Sequence, residues 1–225
     1  MKTPKKILPL LICTRNGQAS TETFMSLNYV AHRLGRTIYL FIGTAPHLIS
    51  ARNYVLESTF ELIGKEEEQE QEKEKEKEKE REGGMDWNGR GFMVDADVIL
   101  KPNEQDVSKL VDAVLKSDSE GWSFSVPYPI NTGIDLSESS VLMEQSVFRL
   151  ADGVLKPARI GETIPDYEKI DASGLGFYYG YLPPRYTFHY DESGEDINFF
   201  MENRDKIDLR VLNLKEIYHS KQLLD

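Results

Sequence analysis

The sequence predicts an α/β fold in which a mostly parallel, Rossmann-like sheet is flanked by helices. Two observations lead to this prediction. Several short apolar runs have strand character, and they alternate with segments whose apolar residues recur at helical spacing. Such alternation is typical of parallel strands joined by crossover helices. A chain of 225 residues is long enough to form one large domain with a sizeable core.

In the first half of the chain, strand-like and helix-like segments follow one another. Apolar residues in 21–33 recur at helical spacing, and Gly35 supplies the stop after this helix. Each predicted strand is short and rich in apolar or β-branched residues, as expected for strands buried on both faces. The strands are predicted at 7–13, 37–42, 91–94 and 122–126, and the helices at 21–33, 48–63 and 106–115.

The second half mixes strands, loops and one helix. Asp152-Gly153 lies between two apolar runs and is a strong signal for a two-residue hairpin. Further strands are predicted at 176–181 and 209–212, and a helix at 195–203. No separate second core is evident, so we expect a single domain over 1–225, with an α/β half at 1–127 and a smaller mixed half at 128–225.

A charged insertion at 65–84 interrupts the first half. Residues 66–82 are all Glu, Lys, Gln or Arg, so they offer nothing to bury. We expect a disordered, solvated loop or a fraying extension of the preceding helix, ended by Gly83-Gly84. The formal net charge is -11 and no basic stripe is present, which argues against nucleic acid as a partner.

The cysteine content and the amino-terminal segment indicate a cytoplasmic protein. Cys13 is the single cysteine, which fits a reducing compartment. The apolar run at 7–13 follows lysines but is short, is broken by Pro9 and lacks a small-residue cleavage site, so we interpret it as a strand and not as a signal peptide. No segment approaches the length of a membrane span.

Asp95-Ala96-Asp97 is the first candidate site, because it follows a predicted strand directly. Two carboxylates at this position would leave the sheet at its carboxyl edge, where open α/β folds bind ligands. Hard oxygen ligands suit Mn²⁺ or Mg²⁺, ions that usually keep substrate phosphates in their coordination shell. The alternative is a polar turn, although the apolar residues on both sides make uncompensated acids costly.

Three further segments carry candidate residues, and each also has a structural explanation. Glu195 and Asp196 open a predicted helix, where acids either favour the helix dipole or serve as a general base. Gly174 and Gly176 let the backbone approach a ligand closely or simply mark a bulge. His219 near the carboxyl terminus is either a ligand or an ordinary surface or core histidine.

The order of these four segments resembles that of nucleotide-sugar glycosyltransferases of the GT-A fold. That family has a D-x-D strand end first, then a glycine loop, a Gly-Glu-Asp segment that opens a helix, and a late histidine. Ala51-Arg52-Asn53 is also similar to the family's Ala-Arg-Asn segment. The resemblance covers nearly the whole chain except 65–88. It implies a GT-A fold, with 1–127 as the nucleotide-binding half and 128–225 as the acceptor-side half.

The resemblance also implies roles for individual residues on the donor side. The donor would be a UDP- or GDP-linked sugar, and a divalent metal, Mn²⁺ or Mg²⁺, would hold its diphosphate. Asp97 and His219 would bind the metal directly, and Asp95 would contact ribose or metal-bound water. The other residues implied to bind the donor are Thr14 and Arg15 near the base, Arg52 and Asn53 near the ribose or phosphate, and Gly174 and Gly176.

On the acceptor side, the resemblance implies a base that deprotonates a hydroxyl of a glycan, protein or lipid. Asp196 would be this base, with Glu195 as the alternative and Asp171 as a third acid within reach. The assignment assumes an inverting enzyme, since a retaining enzyme needs no base in that role.

Two other functions remain open from the residues alone. A nucleotidyltransferase acting on sugar phosphates would share the α/β sheet and the acid-bound metal. It should have a Gly-rich, basic loop after the first strand, whereas residues 14–18 contain one Gly and one Arg. A non-catalytic scaffold with a degenerate site is the third possibility.

Overall fold

The computed structural model describes residues 5–14, 18–45, 47–76, 85–135, 140–159, 162–183, 188 and 194–219. The helices in this part of the chain are α1 (Thr21–Arg33), α2 (Leu48–Glu76), α3 (Glu104–Glu120) and α4 (Glu195–Glu202). The strands are β1 (Lys5–Thr14), β2 (Thr37–Thr44), β3 (Met85–Asp86), β4 (Arg90–Asp95), β5 (Val98–Leu100), β6 (Ser123–Ser125), β7 (Pro129–Asp135), β8 (Ser140–Ala151), β9 (Val154–Arg159), β10 (Ala172–Ser173), β11 (Phe177–Tyr181), β12 (Leu209–Val211) and β13 (Ile217–His219).

The main sheet has the strand order β12-β6-β11-β4-β1-β2, and β3 pairs with the start of β1. Strand β11 runs antiparallel to both of its neighbours, and the other pairs in this sheet are parallel. The prediction of an α/β fold with a mostly parallel sheet flanked by helices is confirmed. Both β11 and β12 come from the second half of the chain, so the two halves share this sheet.

The main sheet lies between two layers of helices. On β1, Leu8, Leu10 and Ile12 join the core cluster that contains residues of α1 and α3, whereas Leu11 and Cys13 join the cluster that contains residues of α2 and α4. Successive side chains of a strand point to opposite faces, so β1 is buried on both sides. This double burial explains the apolar run that predicted the strand.

Capping residues set the ends of the helices. At the start of α1 the side chain of Ser20 accepts a hydrogen bond from the Thr23 N–H, and α1 spans the predicted residues. Asn103 caps α3 in the same way, and Gly121 follows α3 with a φ of 81°. A left-handed conformation after a helix favours glycine. Helix α3 therefore extends beyond the predicted 106–115 at both ends.

Helix α2 continues into the charged insertion. It runs for 29 residues to Glu76, so the expectation of a helical extension holds to that point, and the expectation of a disordered loop does not. Residues 77–84 lie outside the described residues. Glu, Lys and Gln are good helix formers, and adding residues to an existing helix needs no new nucleus. Of the α2 side chains that the structure describes, Ile63 is the last buried one.

A smaller antiparallel sheet has the order β10-β8-β7, with β9 paired to β8. The hairpin between β8 and β9 turns at Asp152-Gly153, whose φ values of 55° and 79° fit the predicted two-residue turn. Val147 and Ala158 of this sheet belong to the same core cluster as residues of α2 and α4. In the part of the chain that is described, no helix is long and apolar enough to cross a membrane.

Candidate functional site

The carboxyl ends of β1 and β4 form the centre of the candidate site. The chain leaves β1 towards β2 on one side and later returns to β4 on the other, which creates a topological switch point. Cys13 pairs with Asp95 in the register of the two strands. The Asp95 N–H donates to the carbonyl of Gly176 at 3.0 Å, and the Ala96 N–H donates to the carbonyl of Cys13 at 3.1 Å. These bonds fix the Asp95 backbone at the sheet edge.

Arg52 joins three acidic residues at this edge. Its side chain is fully buried, and its Nη2 donates to both carboxylate oxygens of Asp95, at 3.1 and 3.0 Å. Its Nη1 donates to Glu195 Oε1 at 3.2 Å and to Asp196 Oδ1. One guanidinium therefore links α2, the end of β4 and the start of α4.

Gly43 allows α2 to approach the sheet closely enough for this arrangement. A Cβ at Gly43 would lie only 2.3 Å from the carbonyl oxygen of Ala51, the residue before Arg52. Because that contact would push α2 away from β2, glycine at this position sets the depth at which Arg52 enters the site.

The carboxylates in the site carry more charge than Arg52 balances. Burial raises the pKa of Asp95; Arg52 opposes this shift, whereas Asp97 reinforces it. Burial also raises the pKa of Asp196, against the effects of Arg52 and of the Leu175 N–H, which donates to Asp196 Oδ2 at 3.0 Å. Three carboxylates thus contact one guanidinium, and Asp97 lies near enough to Asp95 to add to the negative charge. A divalent cation would offset this excess of negative charge.

Cys13 lies beside the cluster but is not suited to act as a nucleophile. Its side chain is buried, and burial raises the pKa of its thiol to about 12. Since the thiolate is the nucleophilic form, this cysteine stays protonated and unreactive at neutral pH.

The structure places the backbone of the predicted metal ligands close together. Asp97 lies in the turn between β4 and β5, with intermediate exposure. Strand β13 pairs with β5 so that His219 lies opposite Val98, the residue after Asp97. The His219 side chain lies outside the described residues. Among the side chains that are described, no group of three His, Cys, Asp or Glu residues has a geometry that could hold a metal.

Tyr128 occupies the space next to the two glycines. A Cβ at Gly176 would lie 2.2 Å from the Tyr128 Oη, and one at Gly174 would lie 2.9 Å from it. In this structure the glycines therefore make room for a phenol group. Burial raises the pKa of Tyr128 well above its usual value, with nearby Asp95 and Asp196 adding to the shift. Tyr128 belongs to none of the motifs recognised in the sequence, and its only signal there is its position between Pro127 and Pro129 after a predicted strand.

Asn53 and Asp171, two of the predicted site residues, have backbone partners in the structure. The Asn53 Nδ2 donates to the carbonyl of Phe188 at 3.1 Å, and its Oδ1 accepts from the Phe188 N–H at 2.6 Å. The ring of Phe188 lies 5.7 Å from the Arg52 guanidinium carbon. Asp171 Oδ2 accepts from the Leu150 N–H at 2.7 Å, which ties this acid to β8. These contacts give both side chains a role in holding the fold.

Thr14, another residue predicted to bind the donor, lies at the end of β1. Thr14 is buried at the carboxyl end of the strand, where its carbonyl accepts from the Ala45 N–H at 3.4 Å. Its position at the switch point matches the edge at which a donor was expected. Arg15 lies outside the described residues.

A cavity of about 200 Å³, here called the α4–β8 cavity, opens beside the carboxylates. Its lining residues come from the β6–β7 connection, β8, the glycine segment and the start of α4, namely Tyr128, Ser146, Phe148, Gly174, Gly194, Glu195, Asp196 and Ile197. A larger cavity of about 320 Å³ lies between α1 and β2 and shares none of these residues.

Comparisons with known proteins add no assignment. No protein-family model matches the chain, and a search of curated proteins found no match. The geometry of the site is therefore the basis for a functional assignment.

Proposed function

We propose that the chain is a metal-dependent glycosyltransferase of the GT-A type, which moves a sugar from a UDP- or GDP-linked donor to an acceptor hydroxyl. One observation supports this most strongly. Acids from two distant segments, Asp95 on one side and Glu195 and Asp196 on the other, converge on the buried Arg52 beside the switch point of the sheet. This edge is where open α/β folds bind nucleotides.

Asp95 and Asp97 are the residues that would hold Mn²⁺ or Mg²⁺. Their oxygens are the hard ligands that these ions prefer. The repulsion by Asp97 that contributes to the raised pKa of Asp95 would be relieved by a cation. The pairing of His219 with Val98 supports a third ligand from β13. When bound, the ion would stabilise the negative charge on the departing diphosphate.

Asp196 is the proposed base. About a quarter of its side chain is exposed (26%), and it lines the α4–β8 cavity, so a hydroxyl there can reach it. A raised pKa makes it a better proton acceptor near neutral pH. As the acceptor oxygen attacks the anomeric carbon, its proton passes to Asp196, and the bond to the diphosphate breaks with its electron pair on the leaving group.

Arg52 acts as a positioning residue in this scheme. Because it bonds to Asp95 and Asp196 at once, it fixes the spacing between the metal side and the base side of the site. Catalysis is sensitive to such spacing, since a misplacement of about 1 Å can cost roughly a hundredfold in rate.

A donor-hydrolysis screen tests the proposed function. The full chain would be incubated with a panel of UDP- and GDP-sugars in Mn²⁺, Mg²⁺ or EDTA, and the released nucleotide would be measured. We expect at least one donor to be hydrolysed only with metal, and Asp97→Ala to abolish this. Asp112→Ala on α3 is a matched control, because Asp112 is an exposed acid.

The same assay, with nucleoside triphosphates and sugar phosphates added to the panel, also separates the competing functions. Release of pyrophosphate from a nucleoside triphosphate in the presence of a sugar phosphate, without donor hydrolysis, would identify a nucleotidyltransferase. Absence of metal-dependent turnover with every substrate would instead favour a scaffold, and either result would overturn the proposal.

A further inference from the structure

The acids of the site divide between two environments. Glu195 and Asp196 line the α4–β8 cavity, whereas Asp95 and Asp97 do not. The cavity therefore opens on the side of the proposed base. If the site is a glycosyltransferase site, this is the position of the acceptor.

The size of the cavity limits what can enter it. Its volume of about 200 Å³ is below the range of roughly 300–1,000 Å³ that is typical of pockets for drug-sized ligands. A single six-membered ring suits this volume, whereas a folded peptide loop does not.

The lining combines an apolar wall with acceptors of hydrogen bonds. Phe148 and Ile197 supply apolar surface, and both pack against the buried core from partly exposed positions. Ionised Glu195 and Asp196 can only accept hydrogen bonds. Tyr128 and Ser146 add two hydroxyl groups, which both donate and accept. A ligand with an apolar face and several hydroxyls on its other side suits this lining.

This combination discriminates between acceptor classes. Arg52 and the Leu175 N–H use only part of the acceptor capacity of the two carboxylates, and an alkyl chain would cover the rest without supplying a donor, which is costly. A phosphate or carboxylate would be repelled by them. A Ser or Thr side chain brings a single hydroxyl, whereas a sugar ring carries a C–H face and several hydroxyls on one rigid frame.

We propose that the α4–β8 cavity binds one sugar ring of a glycan acceptor, with the C–H face of the ring on Phe148 and its hydroxyls towards Glu195 and Asp196. The assignment rests on the proposed glycosyltransferase function, because it takes Asp196 as the base. It selects a glycan over a protein or a lipid as the acceptor.

The test is direct binding to the full chain, measured by saturation-transfer NMR without any donor. The probes are methyl glycosides of glucose, galactose, mannose and N-acetylglucosamine, compared with N-acetylthreonine methylamide and octanol. We expect ring-proton saturation from at least one glycoside and none from the other two probes. Phe148→Ala should weaken that binding about tenfold, and Phe148→Tyr, which keeps the aromatic wall, should restore most of it.

A matched control separates a local effect from a general loss of folding. Val154→Ala lies on β9 in the neighbouring hairpin, is 59% exposed and does not line the cavity, so it should bind as the wild type does. Urea unfolding of each variant shows whether it folds. If Phe148→Ala is unfolded, the comparison of the wild type with Ile197→Ser gives the same test of the apolar wall.

Each outcome distinguishes this inference from the proposed function. Donor hydrolysis together with binding of the threonine or octanol probe, and of no glycoside, overturns the glycan assignment and leaves the transferase standing. Glycoside binding that depends on Phe148, without hydrolysis of any donor, keeps a saccharide site and removes the transferase. No binding of any glycoside by the folded wild type overturns the inference.

Discussion

Arg52 donates from Nη2 to both carboxylate oxygens of Asp95, at 3.1 and 3.0 Å, although the two residues are 43 positions apart. The Arg52 side chain is fully buried, and that of Asp95 is 14% exposed. This bidentate pair connects α2 to the end of β4. Arg52 also bonds to Glu195 and Asp196 on α4, which makes it the centre of the site. Removal of the Arg52 side chain should therefore affect both folding and function.

Arg52→Met should lower the free energy of unfolding by about 3 kcal/mol at neutral pH. Breaking a buried ion pair typically costs roughly 3–5 kcal/mol, because the partner charge is left uncompensated. We expect a value at the lower end of this range because the carboxylates stay partly exposed to solvent; the Asp196 side chain is 26% exposed. Urea unfolding measures the change. Arg33→Met is the control, since its ion pair with Glu104 is exposed and should be worth at most about 1 kcal/mol. Equal small losses in both variants would contradict the account of Arg52.

Asp196→Asn should lower the rate of sugar transfer by about 10²- to 10⁴-fold, the usual contribution of a general base. Donor affinity should stay close to that of the wild type, because Asp196 faces the α4–β8 cavity. Glu195→Gln is the paired variant, since both acids contact Arg52 Nη1. Steady-state kinetics with separate donor titrations would distinguish them. Normal transfer by Asp196→Asn with an inactive Glu195→Gln would move the base by one residue, and normal transfer by both would point to Asp171 or to a retaining enzyme.

The raised pKa of Asp196 gives stability a specific pH dependence. The folded protein binds this proton more tightly than the unfolded chain, so the contribution of Asp196 to stability is greatest below its unfolded pKa of about 4 and is lost as pH rises through the folded value. The free energy of unfolding of the wild type minus that of Asp196→Asn should therefore decrease as pH rises from about 4. Urea unfolding at constant ionic strength, without divalent cations, measures this difference. An increase would contradict the assignment.

Asp208→Asn provides a control of opposite sign. Ion pairs with Lys169 and Arg210 outweigh burial and lower the pKa of Asp208. The free energy of unfolding of the wild type minus that of Asp208→Asn should thus be largest above about pH 4 and should decrease as the pH falls below that value.

Deletion of residues 66–82 should leave the fold and donor binding intact. The segment contains no apolar residue, and Ile63 is the last buried side chain among those described on α2. Joining Lys65 to Gly83 removes the charged part of the helix without exposing the core. The expected change in the free energy of unfolding is below about 2 kcal/mol, small beside a typical domain's total of roughly 5–15 kcal/mol. A larger loss would show that this part of the helix supports the fold.

Local patterns in the sequence were sufficient to predict most elements of the fold. The helix at 21–33 and the hairpin at Asp152-Gly153 were confirmed because capping and turn chemistry act within a few residues. The end of α2 was predicted less well. The charged run has no apolar pattern that would predict a helix. Helix α2 nevertheless continues to Glu76, because Glu, Lys and Gln have high helix propensity and extend a helix that has already formed.

The contacts within the site could not be predicted from local patterns. Arg52 and Asp196 are 144 residues apart, and only the packing of α2 and α4 on the same face of the sheet brings them together. Tyr128 is likewise far from Gly174 and Gly176 in the sequence, yet it lies against both glycines, where a ligand was expected. The sequence thus indicated candidate site residues, and the fold determines which of them meet.

Calorimetric titration of UDP and GDP into the protein, with and without Mn²⁺, tests the central claim most directly, because it measures whether the acids at the carboxyl edge bind a diphosphate through a metal. We expect one of the two nucleotides to bind only with Mn²⁺, and Asp97→Ala to abolish that binding. Because Asp97 lies in a turn with intermediate exposure, the substitution should change the free energy of unfolding by no more than about 1 kcal/mol. Binding of the same strength by a folded Asp97→Ala variant in Mn²⁺, or no metal-dependent binding by the wild type, would contradict the claim.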